Sequence, residues 1–329
     1  MSLDRTGQAS DARAPLFGAI EAGGTKFVCA VGDGPGERMR ARAQFLTGSD
    51  PRAQLAQVVE WLLGQQSRFG PLAAIGLASF GPIDLDERSP SYGCITTTPK
   101  PGWRNAEMVA PLRRAFPGIP VGFDTDVNGA ALGEGRWGAA RGLEDYIYIT
   151  VGTGIGGGGV ARGRLLHGLV HPEMGHIPMP VLDGDSFEGG CAIHGRCWEG
   201  LCAGPAIARR AGRPAEAIAP DDPAWDFATR YMAHALATLT YVLSPRRIIV
   251  GGSVRKAGLL GETEFFGRTR RHLRAVLNGY IDSPALAEPG IAGFVVPPAL
   301  GDDAGVCGAI ALAQDALAES LAEPSAGRR

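Results

Sequence analysis

The chain has 329 residues, 45% hydrophobic and 20% charged, with a formal net charge of −2. That composition is globular, and the near-neutral balance gives no electrostatic case for binding nucleic acid. The length exceeds what one small core organises and predicts about two domains.

Residues 1–15 read as a polar, disordered tail, and the closing EPSAGRR looks equally loose. No apolar run approaches the ~18 residues of a spanning helix, and the N-terminus lacks the apolar stretch of a signal peptide. Cys29, Cys94, Cys202 and Cys307 are scattered singly, without the spacing of a disulfide framework. The expected compartment is therefore the reducing cytoplasm.

Structure is expected from Phe17. FGAIEAGGTKFVCAVGDG reads as strand, a turn at Gly23-Gly24, and a second strand of alternating apolar residues. The Gly-Gly-Thr-Lys turn offers unobstructed N–H groups, a hydroxyl and an ammonium, which suit a phosphate; an ordinary hairpin would look the same. A third strand runs through Phe45. Residues 51–69 then carry Leu55, Val58, Val59, Leu62 and Leu63 at helical spacing behind Ser49-Asp50 and Pro51. AAIGLASFGPID is a buried strand, and SPSYGCITTTPKPGW an irregular loop, either a cleft wall or a surface connection. A short helix is expected from about Asn105 to Phe116, leading into the strand IPVGFDT.

That strand ends at Asp124-Thr125-Asp126-Val127-Asn128, followed by the small-residue helix GAALGEGRWGA. Carboxylates at the carboxyl end of a strand lie where α/β folds bind ligands, although any single one could serve only as a helix cap. EDYIYITVGTGIGGGGVAR repeats the opening device of strand, glycine turn and strand about 130 residues later. The repetition predicts an internally duplicated architecture with two phosphate-facing hairpins. Neither turn fits the P-loop pattern. An amphipathic helix over roughly residues 222–243 precedes the strand RRIIVGGSV, and the chain closes on a loop and a small-faced helix.

Between them lies HPEMGHIPMPVLDGDSFEGGCAIHGRCWE, residues 171–199, which gathers three of the six histidines and two of the six cysteines. His176, Cys191, His194 and Cys197 supply the four ligands of a tetrahedral zinc with no open position, a structural clip. The competing reading makes them buried thiols and loop histidines. Glycines at 189, 190 and 195 favour a loop wrapped around an ion.

IEAGGTKF, DTDVNGAALGE, ITVGTGIGGG, HPEMGH, C-x2-H-x2-C-W-E and IIVGGSV, in that order, resemble the ROK family of sugar kinases and repressors, and within it the bacterial fructokinases. The resemblance implies the actin-like, ribonuclease-H-like ATPase fold, with two α/β domains about a central cleft. These would be a small N-terminal domain of residues 16–125 plus 305–323, and a larger one of residues 126–304 holding the zinc loop. It implies Asp126 as general base, with Thr125 beside it, and Asn128, Glu173, His176 and Glu199 as sugar ligands. Gly23, Gly24, Thr25, Lys26, Thr153, Gly154, Gly204, Pro205, Gly251 and Gly252 would surround ATP and Mg²⁺. His176, Cys191, His194 and Cys197 would hold structural Zn²⁺.

The implied activity is transfer of the γ-phosphate of ATP to a hexose, most directly to fructose giving fructose 6-phosphate. A glucokinase, mannokinase, N-acetylhexosamine kinase or catalytically silent sugar sensor remains alternative. A cytoplasmic homodimer without nucleic-acid or membrane partners is expected. Glu21 stands where glucokinase-like members usually carry Asp, and no helix-turn-helix segment precedes Phe17, which argues against the repressor branch.

Overall fold

A computed structural model of the chain describes residues 14–322. Most of the expected N-terminal tail, and the EPSAGRR end, lie outside the described residues.

Strands β1 (Leu16–Ala22) and β2 (Lys26–Gly32) form the first hairpin, and β3 (Met39–Leu46) pairs with β2. Helix α1 (Pro51–Phe69) crosses to β4 (Leu72–Ser79), parallel to β1, and α2 (Val109–Ala115) crosses to β5 (Val121–Thr125), parallel to β4. Asp50 caps α1 by accepting from the Arg52 and Ala53 N–H groups, and Pro51 fills a first-turn position that needs no donor.

Helix α3 (Asp126–Trp137) leaves β5 without a loop, its N-terminus capped by the Thr125 hydroxyl accepting from Asn128 N–H at 3.1 Å. β6 (Tyr146–Val151), β7 (Ile155–Ala161) and β8 (Arg164–Leu165) form the second antiparallel set. Short helices α4 (Trp198–Cys202) and α5 (Gly204–Ala211) and the long α6 (Pro223–Leu243) lead to β9 (Arg247–Gly251), parallel to β6. Helices α7 (Glu262–Leu277) and α8 (Ile291–Phe294) lead to β10 (Val295–Val296), parallel to β9, and α9 (Ala304–Ala322) follows.

The sheets run β3-β2-β1-β4-β5 and β8-β7-β6-β9-β10, one order with one pattern of directions. The expected duplication is thus present strand for strand. α1 and α2 bury one face of the first sheet, and α6 and α7 one face of the second. The inner faces are covered by α9 on the first sheet and α3 on the second.

Glycine sets how closely α3 and α9 approach. A Cβ at Gly308 would fall on the Gly129 carbonyl, and one at Gly133 would lie 2.7 Å from Ala304 O and 2.9 Å from Gly308 N. Buried Glu134 then fastens α3 to the approach to α9, accepting from Ala139, Ala299 (3.1 Å) and Leu300 (2.9 Å) N–H groups.

The helix expected from Asn105 starts only at Val109. Asn105 has φ +59°, Ala106 donates to Trp103 O at 3.2 Å, and Glu107 bridges to Cys94. Those backbone groups are committed to the loop, which Trp103 anchors by donating from Nε1 to Gly48 O at 2.8 Å. Conversely α3 begins at Asp126, three residues before the expected small-residue run.

Gly308→Val should therefore be among the costlier substitutions away from the cleft. A branched side chain against the Gly129 backbone is expected to cost about 3 kcal/mol, with Gly308→Ala less but still destabilising. Denaturant melts of the three proteins check this, and equal midpoints would refute the close-contact reading.

Candidate active site and metal loop

The two sheets open onto a cavity of about 310 Å³. Asp126 lies at its floor because α3 starts where β5 ends. Glu21, from the end of β1, and Lys26, from the start of β2, face it from the first sheet. Gly252, Ser253 and Lys256 approach from beyond β9, Asp302 from the turn before α9 and Gly305 from its first turn. Gly252 has φ +82°, and a Cβ there would strike the Val151 backbone, so only glycine fits.

The first glycine turn is closed by Gly23 N–H donating to Lys26 O (3.0 Å) and braced by the Thr47 hydroxyl donating to Gly23 O (2.8 Å). Gly24 and Thr25 are exposed at its tip. In the second turn, Gly152 N–H donates to Gly154 O at 2.9 Å and Gly204 N–H to Gly152 O at 2.8 Å, so Gly204-Pro205 abuts it. Glu199 Oε2 accepts from Ile155 N–H at 2.9 Å, and a Cβ on Gly154 would lie 2.7 Å from it. Thr153 is exposed at the tip of that turn, and Gly251 ends β9.

Two carboxylates at the floor are unusually basic. Burial pushes Asp126 up to about 7, and the Glu173 charge adds to the effect. Burial also raises Glu21 to about 7, helped by Asp126 and opposed by Lys26 and Arg42. Glu21 Oε2 has no hydrogen-bond partner among the described residues, and its carboxyl occupies the space a Cβ on Gly305 would fill. Carboxylates near neutrality suit proton transfer, and an unsatisfied buried oxygen suits a cation or its bound water. Lys256 pairs with Asp302 at 2.9 Å at the cavity edge, leaving an ammonium beside the space.

Asn128 does not reach the cavity wall. It is fully buried, Nδ2 donating to Asp124 Oδ1 at 2.8 Å and Oδ1 accepting from Gly159 N–H at 3.2 Å. Glu173 is exposed and precedes the single turn Met174–His176, its backbone carbonyl accepting from His176 N–H at 3.0 Å, and that turn carries His176 to the four-ligand cluster.

The ligand atoms of His176, Cys191, His194 and Cys197 all lie within 4.8 Å of one another. His176 Nδ1 is 3.5 Å from Cys197 Sγ and 4.0 Å from Cys191 Sγ, and His194 Nδ1 is 3.7 Å from Cys191 Sγ. A tetrahedral ion with Zn–S near 2.3 Å and Zn–N near 2.05 Å requires N···S edges of about 3.6 Å. The cluster therefore has the size of a metal tetrahedron. Each sulfur also accepts a backbone N–H three residues on, from His194 and from Gly200, both at 3.5 Å. Such bonds stabilise a thiolate, the form a metal ligand takes.

Several groups at this site escaped the sequence reading. Ser253 and Lys256 directly follow Gly251-Gly252, and Asp302 precedes the closing helix, so their adjacency to glycine motifs was the available signal. His167 had none and lies 2.8 Å from buried Asp124; His171 heads the HPEMGH run, but its contact was not foreseen: Nε2 accepts from Ile83 N–H at 3.1 Å, tying this segment to the first sheet's long loop.

Comparison with known proteins bears on all of this. A fructokinase of Zymomonas mobilis is 41% identical over 303 residues, spanning 91% of this chain and 96% of that protein. A fructokinase of Pediococcus pentosaceus is 40% identical over 302 residues, spanning 92% and 99%. The solved ROK hexokinase of Thermus thermophilus superposes with a TM-score of 0.73 at 28% identity, spanning 92% of this chain and 99% of that one. The two duplicated sheets are accordingly those of the actin-like ATPase fold. Residues 17–316 match the ROK family, and the chain belongs to it.

Proposed function

We propose that the protein is an ATP-dependent hexose kinase that transfers the γ-phosphate of ATP to fructose, giving fructose 6-phosphate. The observation that carries this reading is Asp126, a carboxylate with pKa about 7 at the floor of a cavity edged by Lys26 and Lys256. The relatives named fructokinase, at 40–41% identity over nine-tenths of the chain, support the choice of hexose.

In this reading Asp126 accepts the proton of the attacking sugar hydroxyl. Lys26, Lys256 and the N–H groups of both glycine turns draw the phosphates into line, since positioning and charge stabilisation supply most of the rate in phosphoryl transfer. Mg²⁺ accompanies ATP and neutralises phosphate charge, and Glu21 is the carboxylate that would face it directly or through water. Glu173, His176 and Glu199 hold sugar hydroxyls. Asn128, its amide already committed, instead fixes the strand-to-helix turn that aims Asp126. The four-ligand cluster holds Zn²⁺, a closed site that orders Glu173 through His176 and takes no part in the chemistry.

The same proposal makes residues 16–125 plus 305–323 one domain and 126–304 the other, hinged about the cleft. It also makes the protein a cytoplasmic homodimer without nucleic-acid partners, on its likeness to the family. No helix among the described residues is long and apolar enough to cross a membrane.

Asp126→Asn is expected to keep sugar and ATP binding while losing about 10²–10⁴-fold in kcat. A coupled ADP-release assay over fructose, mannose, glucose and N-acetylmannosamine checks both that loss and the preference for fructose; near-normal turnover in the variant would remove Asp126 from its role.

Metal analysis should find about one zinc per chain. Chelation should raise the sugar KM more than the ATP KM, because Glu173 and His176 lie on the sugar side. Protein purified without chelator and free of zinc would overturn the metal assignment.

Glu21 titrates near 4.5 in the unfolded chain and near 7 in the fold. Between those values the folded form binds the extra proton, so stability is lost as pH rises through the window. Glu21→Gln is thus expected to raise the melting temperature of the ligand-free protein at about pH 8 and leave it nearly unchanged at about pH 4. Melts at the two pH values check this, and an equal effect at both would contradict it.

A further inference from the structure

One pair of titratable groups beside the catalytic turn is unused by the phosphoryl-transfer scheme. Asp124, the penultimate residue of β5, is 3% exposed. Its Oδ1 accepts from Thr125 N–H at 2.7 Å and from Asn128 Nδ2 at 2.8 Å, and its Oδ2 lies 2.8 Å from His167 Nε2. Asn128 Nδ2 is 3.3 Å from the same imidazole nitrogen. Two donors converging on one buried carboxylate make Nε2 the protonated nitrogen of His167, since a bare lone pair there would face the carboxylate oxygen. The carboxylate bond also holds the imidazole pKa above its ordinary range.

The other ring nitrogen is left over. His167 Nδ1 makes no hydrogen bond among the described residues, and the side chain is 44% exposed. A pure staple between the β8 loop and α3 would need only the Nε2 contact and could bury the rest of the ring. Here a buried carboxylate, two residues before Asp126 in the chain, orients a half-exposed imidazole whose other nitrogen is unbonded among the described residues. Along the other chain, His167 stands six residues before Glu173, on the segment that delivers Glu173 and His176. The phosphate-side groups Lys26, Gly252, Ser253 and Lys256 come from other elements.

We infer that the Asp124–His167 pair is a further sugar-binding element, in which His167 Nδ1 makes a hydrogen bond to one hydroxyl of the hexose and so helps set which sugars the cleft accepts. This rests on the reading that the cleft holds a hexose beside Asp126. Asp124 is a positioning residue that acts through the imidazole, and His167 is the group that meets the substrate. A site built to bond a hydroxyl rejects sugars that present none there, because its own polar group is then left unpaired.

His167→Gln separates this role from a structural one, because the amide can still donate to Asp124 while the Nδ1 function is lost. The variant is expected to keep the wild-type melting temperature, kcat and ATP KM. Its fructose KM should rise by about tenfold, the signature of a lost binding contact, and its preference for fructose over glucose should narrow. Imidazole NMR resonances of His167 in the wild-type protein should move on adding fructose and stay in place on adding a non-hydrolysable ATP analogue alone. Unchanged fructose KM and selectivity in the variant, or a His167 signal unmoved by any hexose of the panel, would overturn the inference. A wild type whose His167 responds to fructose but releases no ADP would instead overturn the kinase reading and sustain the pair, because the resonance reports binding without turnover.

Discussion

The close backbone contact between α3 and α9 is the constraint on which the rest depends. Each helix covers the inner face of a different sheet, so their separation fixes how near the two duplicated halves stand. Glycines at 133 and 308 let the two backbones meet where a side chain would clash. The geometry of the cavity follows, because the N-termini of both helices border it. Asp126 begins α3, and Gly305 in the first turn of α9 leaves room for Glu21 alone. A larger residue at either helix contact would disturb the core and the carboxylate pair together.

Electrostatically, the floor of the cleft is costly on the protein's own groups. Two carboxylates near pKa 7 and a buried, unsatisfied oxygen are unfavourable in the ligand-free fold. They become favourable when a cation and a phosphate chain enter beside Lys26 and Lys256. Stability given up at the floor of the cleft is offset by the apolar burial behind both sheets, where Phe27, Trp103, Trp198 and Trp225 are almost wholly enclosed.

The sequence was most legible where one local rule sufficed. Both glycine hairpins, α1 behind Asp50-Pro51, the amphipathic α6, and the ligand spacing of Cys191, His194 and Cys197 all rest on contacts within about twenty residues. The reading weakened where distant partners decide. Asn105 looked like a helix start, yet its segment spends its backbone groups on Cys94, Ile95 and Thr96. Asn128 reads as a sugar ligand, and nothing near it in the chain announces that its amide also bonds Gly159 across the second sheet. His167 lies 43 residues from Asp124, and no pattern in the chain announces that the two will touch.

The loop that carries the four-ligand cluster has a second fastener. Arg196, between His194 and Cys197, reaches Asp185 at 3.2 Å, and Asp185 is also held by Arg210 of α5 and Tyr231 of α6. Burial pushes the Asp185 carboxyl up, but Arg210, Tyr231 and the Phe187 N–H overcome it and hold the group well below the usual carboxylate range. The far side of the loop is therefore anchored to the second core by protein groups alone. What a metal would add is on the near side, where among the described residues the His176 ring finds hydrogen-bond partners only in the cluster's own sulfurs and the turn bearing Glu173 is a single one. A metal held by this cluster would act as a local brace on the single turn that bears Glu173.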